Sequence, residues 1–150
     1  MSGDDERTTV LADIDLLEGA RPEELERIAS LARERSVEPG HVLCREGEIG
    51  RAFFVILGGE AEVTVRGRPV AQLGPGSGFG EIALVSRYDR RVATVTALSP
   101  MKLLVMDRDQ FALALTDAPT FARALLRETA TRLANVEQSW SDDQQLIVEP

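Results

Sequence analysis

The sequence predicts an α+β fold that is mainly β: a β-roll or barrel between an N-terminal helix and a C-terminal helix pair. Between residues 37 and 105, short apolar or alternating runs recur at Val42 to Cys44, Ala52 to Leu57, Ala61 to Val65, Val70 to Leu73, Val92 to Leu98 and Lys102 to Met106. Turn sequences, Pro39-Gly40, Gly58-Gly59, Gly67 and Gly74-Pro75-Gly76, separate most of them, and many short, evenly spaced strands close into a roll or barrel. Before and after this region the apolar residues recur at helical spacing instead.

Taken in order, residues 1–11 are polar and are expected to be flexible. From Pro22 to Ala32, a proline at the first turn precedes Leu25, Ile28, Leu31 and Ala32 on one helical face. After the strands, Asp107-Arg108-Asp109 reads as the N-cap region of a helix containing Phe111, Leu113 and Leu115. Asp117-Ala118-Pro119 then starts a longer helix that is expected to run to about Trp140. In it Ala122, Leu126, Thr129, Leu133, Val136 and Trp140 follow the a/d spacing of a coiled coil. That stripe either packs on its own barrel or joins two chains. We favour a homodimer through residues 119–140, because Phe121, Ala124 and Leu125 offer a second stripe for the barrel. The domain is expected over residues 12–140, with 141–150 a disordered tail.

Composition narrows the function classes. At 150 residues and 43% hydrophobic content, the chain suits one globular domain with a proper core. Seventeen basic against 25 acidic side chains give a net charge of -8, so nucleic acid is not an expected partner. No apolar run is long enough to span a bilayer, and MSGDDERTTV is too acidic and polar for a signal peptide, so a cytoplasmic protein is expected. The lone Cys44 lies in an apolar strand and reads as a buried, inert thiol. One His and one Cys with no plausible pairing give no catalytic constellation, so no enzyme is expected. His41, alone in a turn, cannot make the metal site of a cupin, and the cysteines of an iron–sulfur sensor are missing.

The most informative stretch is Gly78-Phe79-Gly80-Glu81-Ile82-Ala83-Leu84, followed by Arg91-Val92-Ala93-Thr94. Gly74, Gly76, Gly78 and Gly80 let the backbone approach an anion, and a helical turn from Glu81 to Leu84 would aim free N–H groups at it. The Arg91 guanidinium can grip two phosphate oxygens at once, while the Glu81 carboxylate, an acceptor, suits a ribose 2′-hydroxyl. The residues alone also allow a glycine turn with a surface Glu81–Arg91 ion pair.

The run FGEIALVSRYDRRVATVTA resembles the signature of the cyclic nucleotide-binding domain family, which includes bacterial catabolite activators, kinase regulatory subunits and cyclic nucleotide-gated channels. The resemblance covers roughly residues 12–140, and the FGE-to-RxAT spacing is closer to that of the bacterial activators than to the kinase subunits, which are one residue shorter. It implies a double-stranded β-helix, a jelly-roll-like β-roll, that binds a cyclic nucleotide through Phe79, Gly80, Glu81, Ile82, Ala83, Arg91, Val92 and Ala93. Val63 and Val70 match positions that pack the base and ribose, and ordinary barrel core is compatible with that role.

Val92 stands where the activators carry serine and cyclic GMP-selective kinase sites carry threonine. Losing that hydroxyl costs about 1 kcal/mol and removes a handle for cyclic GMP, so cyclic AMP is favoured over cyclic GMP. Ungapped counting puts Val136 and Glu137 where the activators contact adenine through hydroxyls, and Asn135 either offers an amide to the base edge or is solvated. Arg87, Tyr88 and Arg90 read as solvated loop residues. The implied function is a stand-alone cyclic nucleotide sensor without the activators' DNA-binding domain, acting through an unidentified effector. The alternative is a degenerate β-roll interaction module that binds no nucleotide. Replacing Arg91 is expected to abolish binding and to change folding little.

Overall fold

The computed structural model describes residues 11, 12 and 14–148, with residues 136–148 described by backbone alone. Among the described residues, eight strands form two antiparallel four-stranded sheets. One sheet has the order β1-β8-β3-β6, made of β1 Arg33–Val37, β8 Met101–Asp107, β3 Ala52–Gly58 and β6 Gly78–Phe79. The other has the order β2-β7-β4-β5, made of β2 Val42–Cys44, β7 Thr94–Ala97, β4 Ala61–Val65 and β5 Arg68–Leu73. Helix α1 (Pro22–Leu31) precedes the sheets, α2 (Ile82–Val85) follows β6, and α3 (Arg108–Asp117) and α4 (Pro119–Val148) complete the chain.

The continuous apolar runs of β3 and β8 arise because both faces of their sheet are covered. Alternate residues point opposite ways along a strand. Phe53, Val55, Leu104 and Met106 meet the helices, whereas Phe54, Ile56, Leu103 and Val105 meet the second sheet. Phe53 packs against Phe111 of α3 and Phe121 of α4, with ring centroids 4.8 and 5.8 Å apart. The helical unit is thereby fixed to the outside of the roll, which determines where α4 can reach.

The expected α1 face holds: Leu25, Ile28, Leu31 and Ala32 are all buried. The predicted cap of α3 holds as well: the Asp107 carboxylate accepts from the Gln110 amide (2.8 Å), and the Gln110 side chain accepts from the Asp107 amide (2.9 Å). Four expectations need correction. Strand β1 was not foreseen, because RERSV is an edge strand, paired only with β8 and exposed at every residue but Val37, so it carries no alternating pattern. The run Val92 to Leu98 forms strand only over Thr94–Ala97, since residues 90–91 instead bond the loop at Gly47 and Glu48. Leu11, placed in a flexible N-terminus, is 1% exposed and part of the core; the remainder of that segment, 1–10, lies outside the described residues. The segment from 141, expected as a disordered tail, is helical as far as Val148, because no proline or glycine interrupts the sequence between Pro119 and Pro150.

One buried carboxylate joins the two ends of the helical unit. Glu24 in the first turn of α1 is 2% exposed. It accepts from the Arg21 amide (2.9 Å) and from the amide and hydroxyl of Thr120 (both 2.8 Å), in the first turn of α4. Burial acts to raise its pKa, but the bonds from Thr120 and Arg21 outweigh it and hold the group below its ordinary 4.5. A lowered folded-state pKa means that this stabilisation is complete above the unfolded value and is lost as pH falls through the folded one. Glu24→Gln is therefore expected to cost about 1 to 2 kcal/mol at neutral pH in urea denaturation, because the amide accepts more weakly and turns a donor toward these amides. The gap to wild type should begin to narrow as pH falls below the ordinary 4.5 and close only once pH has passed the lowered folded-state value.

Candidate nucleotide site

The glycine-rich cassette, residues 74–84 together with 91–94, forms at the end of the roll where β6 leaves the first sheet. Gly78 and Phe79 pair with Val55 and Phe54 of β3, and the chain then turns through Gly80 into α2. Of the four cassette glycines, Gly76 and Gly80 take positive φ, at 91° and 98°. At Gly80 a Cβ would lie 2.8 Å from Arg91 Nη1 and 2.9 Å from the Ala52 carbonyl oxygen, so only glycine fits beside that guanidinium. The α2 amides of Leu84 and Val85 bond to the Glu81 carbonyl. Among the described residues no acceptor takes the amides of Ile82 and Ala83, although Ala83 is 2% exposed. A buried amide without a partner favours an anion there.

Arg91 is 7% exposed, and its guanidinium donates from Nη1 to the Gly80 carbonyl (2.9 Å) and from Nη2 to the Ala52 carbonyl (2.7 Å). Its Cζ lies 6.0 Å from the centre of the Phe54 ring. Among the described residues no carboxylate pairs with it. A buried cation is stable when matched by opposite charge, so the guanidinium is held by neutral carbonyls while its remaining N–H groups stay available to an anion. Gly50 closes the other side: a Cβ there would collide with Ala83 Cβ and sit 3.3 Å from Arg91 Cζ.

Glu81 does not form the surface ion pair that the residues alone allowed. It is 4% exposed and accepts from the Thr129 hydroxyl of α4 (3.0 Å), with Arg132 Nη1 at 3.8 Å. Arg132 also pairs with Glu128, one helical turn away. Burial raises the Glu128 pKa, Arg132 opposes the rise, and Glu81 and Asp15 add to it, while the nearby Gly78 amide acts to lower it. Thus α4 meets Glu81 through Thr129 and Arg132. Cys44, close enough to feel Arg91 and Glu81, has its thiol pushed up to about 11 chiefly by burial, so it remains protonated at neutral pH.

A family model described as "Cyclic nucleotide-binding domain" matches residues 34–117. The chain belongs to the cyclic nucleotide-binding domain family. It is 38% identical over 103 residues to a cAMP-dependent protein kinase regulatory subunit of Yarrowia lipolytica, covering 67% of this chain and 27% of that protein. In structure it is similar to the regulatory subunit of a cAMP-independent protein kinase A from Trypanosoma brucei, with TM-score 0.78 and 25% identity over 93% of this chain and 51% of that one. It is likewise similar to the Thermus thermophilus catabolite activator protein, with TM-score 0.74 and 27% identity over 85% of this chain and 62% of that one. The chain spans less than two thirds of the length of each.

Within this cyclic nucleotide-binding domain the sequence-predicted residues divide by position. Gly80, Glu81, Ile82, Ala83 and Arg91 come together at the cassette, with Val92 exposed beside Arg91 and Ala93 half-buried. The Phe79 ring is buried and stacked on Phe54 at 4.9 Å, so its side chain belongs to the core. Val63 is half-buried against the interior of the roll, whereas Val70, beside an irregularity in the β4–β5 register, is 59% exposed and is not core. Asn135 is exposed on α4, and the side chain of Val136 lies outside the described residues.

Sequence reasoning placed Thr129 in the dimer seam and did not single out Glu128 or Arg132. Their clustering within one turn and a half was the available signal, but periodicity does not reveal which polar side of a helix faces the roll. Gly50 and Arg108 were also missed.

Proposed function

We propose that this domain is a cyclic nucleotide receptor, with cyclic AMP the preferred ligand, in which α4 responds to the occupied cassette. The observation that carries this reading is the buried Arg91 guanidinium, held by two backbone carbonyls and facing no carboxylate among the described residues. Arg91 and the amides of Ile82 and Ala83 take the phosphate; Glu81 takes the ribose 2′-hydroxyl. Val92 supplies no hydroxyl, which disfavours cyclic GMP. The Yarrowia relative is a cAMP-dependent kinase regulatory subunit, which supports the ligand class. A ligand hydroxyl reaching Glu81 must share or displace the Thr129 bond, so occupancy and the position of α4 are linked.

The rival reading, a β-roll interaction module that binds no nucleotide, draws on that same Thr129 bond, which already satisfies Glu81, and on a Trypanosoma relative described as cAMP-independent. Thermal denaturation separates them. Cyclic AMP at about one hundred times its Kd would stabilise a receptor by about 2.7 kcal/mol, while the non-cyclic monophosphate should do little. No change with either cyclic nucleotide would favour the module.

The same reading includes a cytoplasmic homodimer through α4 and no catalytic activity. Leu126 and Leu133 are 71% and 60% exposed on one face, whereas Phe121 and Leu125 are buried against the roll, so the two stripes have different neighbours. Thr129, bonded to Glu81, is not free for the seam. Leu133→Glu is expected to give monomers by light scattering, because a two-fold axis would oppose like charges, while nucleotide binding persists. Wild-type protein that is monomeric well above micromolar concentration would remove the dimer from this reading.

A further inference from the structure

We propose that Arg108 is a positioning residue of the phosphate site, binding the Gly50 loop and the last turn of α2 into one rigid wall behind Arg91. Its binding consequence rests on the receptor reading above; its structural consequence does not. Arg108 is the first residue of α3, where the reciprocal Asp107–Gln110 cap fixes the helix start. From there its guanidinium reaches back to the cassette. Nη2 donates to the Gly50 carbonyl (2.8 Å) and lies 3.3 Å from the Ala83 carbonyl, and Nη1 lies 3.5 Å from the Leu84 carbonyl.

These acceptors belong to two segments that no strand pairing joins. The carbonyls of Ala83 and Leu84 end a helix of four residues, where no following turn supplies amides, and a cation there is doubly favoured by hydrogen bonding and by the helix dipole. The Gly50 carbonyl sits in the loop whose α-carbon faces both Ala83 and Arg91 at close contact. Gly50, Ala83 and Arg91 thus pack together on one side, and Arg108 ties the first two from the other. The two carbonyls that hold Arg91 come from Gly80 and Ala52, each within three residues of a segment that Arg108 anchors. Loosening the wall would let the guanidinium drift without removing any group that touches a phosphate. Because Arg108 opens α3, it also links the phosphate site to the helical unit.

The test compares Arg108→Ala with wild type in two measurements. In the free protein, the amides of Gly50, Leu84, Val85 and Ser86, each bonded to a backbone carbonyl, should exchange with solvent about tenfold faster while β3 and β8 keep their protection. In titrations, affinity for cyclic AMP should fall about tenfold. The loss caused by removing the ligand's 2′-hydroxyl should stay at its wild-type size, since the Glu81 carboxylate is held from α4 by the Thr129 hydroxyl rather than by Arg108. Unchanged exchange at those four amides overturns the proposal. So does faster exchange throughout the sheet, or a drop in the 2′-hydroxyl increment, because either shows a general loss of structure. If wild type binds neither cyclic nucleotide, the receptor reading fails and the exchange measurement alone decides Arg108. Should Arg108→Ala not fold, Arg108→Lys serves in its place, keeping a charge at the end of α2 without the fork that reaches Gly50.

Discussion

Arg91→Ala should lower cyclic nucleotide affinity at least a hundredfold and also cost the free protein about 2 kcal/mol of stability. The first effect follows from removing a two-point, charge-assisted grip, worth about 3 kcal/mol or more at 1.4 kcal/mol per tenfold. The second corrects the sequence-based expectation that folding would hardly change. In the structure the side chain is 7% exposed and supplies the hydrogen bonds of the Gly80 and Ala52 carbonyls, so truncation leaves two acceptors short of partners and a void beside Gly50. Arg91→Lys separates the two. A lysine can satisfy one carbonyl and keeps the charge, so stability should largely return, but a point charge does not reproduce the fork and affinity should stay low. Wild-type affinity in either variant, measured by calorimetry, would exclude Arg91 as the phosphate ligand.

Glu81→Ala should weaken cyclic AMP binding by about 1.5 to 3 kcal/mol, the range for a hydrogen bond to a charged group. The 2′-deoxy analogue is the control: wild type should lose a similar amount toward it, and the mutant should hardly distinguish the two ligands. The structure adds a second readout. Glu81 holds the Thr129 hydroxyl and lies near Arg132, so the mutant should also free α4 and quicken amide exchange in the middle of that helix. A mutant that still prefers the ribose form would remove the assignment of Glu81 to the 2′-hydroxyl.

Much of the fold was legible because the informative strands are buried on both faces. Phe53 to Ile56 and Leu103 to Met106 have no polar alternative, and their apolar continuity identifies them without any neighbour. Strand β1 was illegible for the opposite reason: RERSV is held by backbone pairing to β8 at the sheet edge, and its side chains face solvent. The meeting of Gly80, Glu81 and Arg91 was legible because the three stand at a fixed local spacing in the sequence. What α4 brings to it was not, since Thr129 and Arg132 reach Glu81 only through the way Phe53, Phe111 and Phe121 seat the helical unit on the sheet. Glu24 is similar. Within PEELE it resembles an exposed helix-start acid, and its burial depends on Thr120, 96 residues away.

The most direct measurement is a calorimetric titration of the wild-type protein with cyclic AMP, cyclic GMP and the non-cyclic adenosine monophosphate under one buffer condition. A receptor built on a buried Arg91, the α2 amides and Glu81 should show one saturable site per chain for cyclic AMP, weaker binding of cyclic GMP, and little or no heat with the non-cyclic compound, whose phosphate carries an extra charge and is not tied back to the ribose. Absence of binding by both cyclic nucleotides, or equal binding of the non-cyclic one, would contradict it.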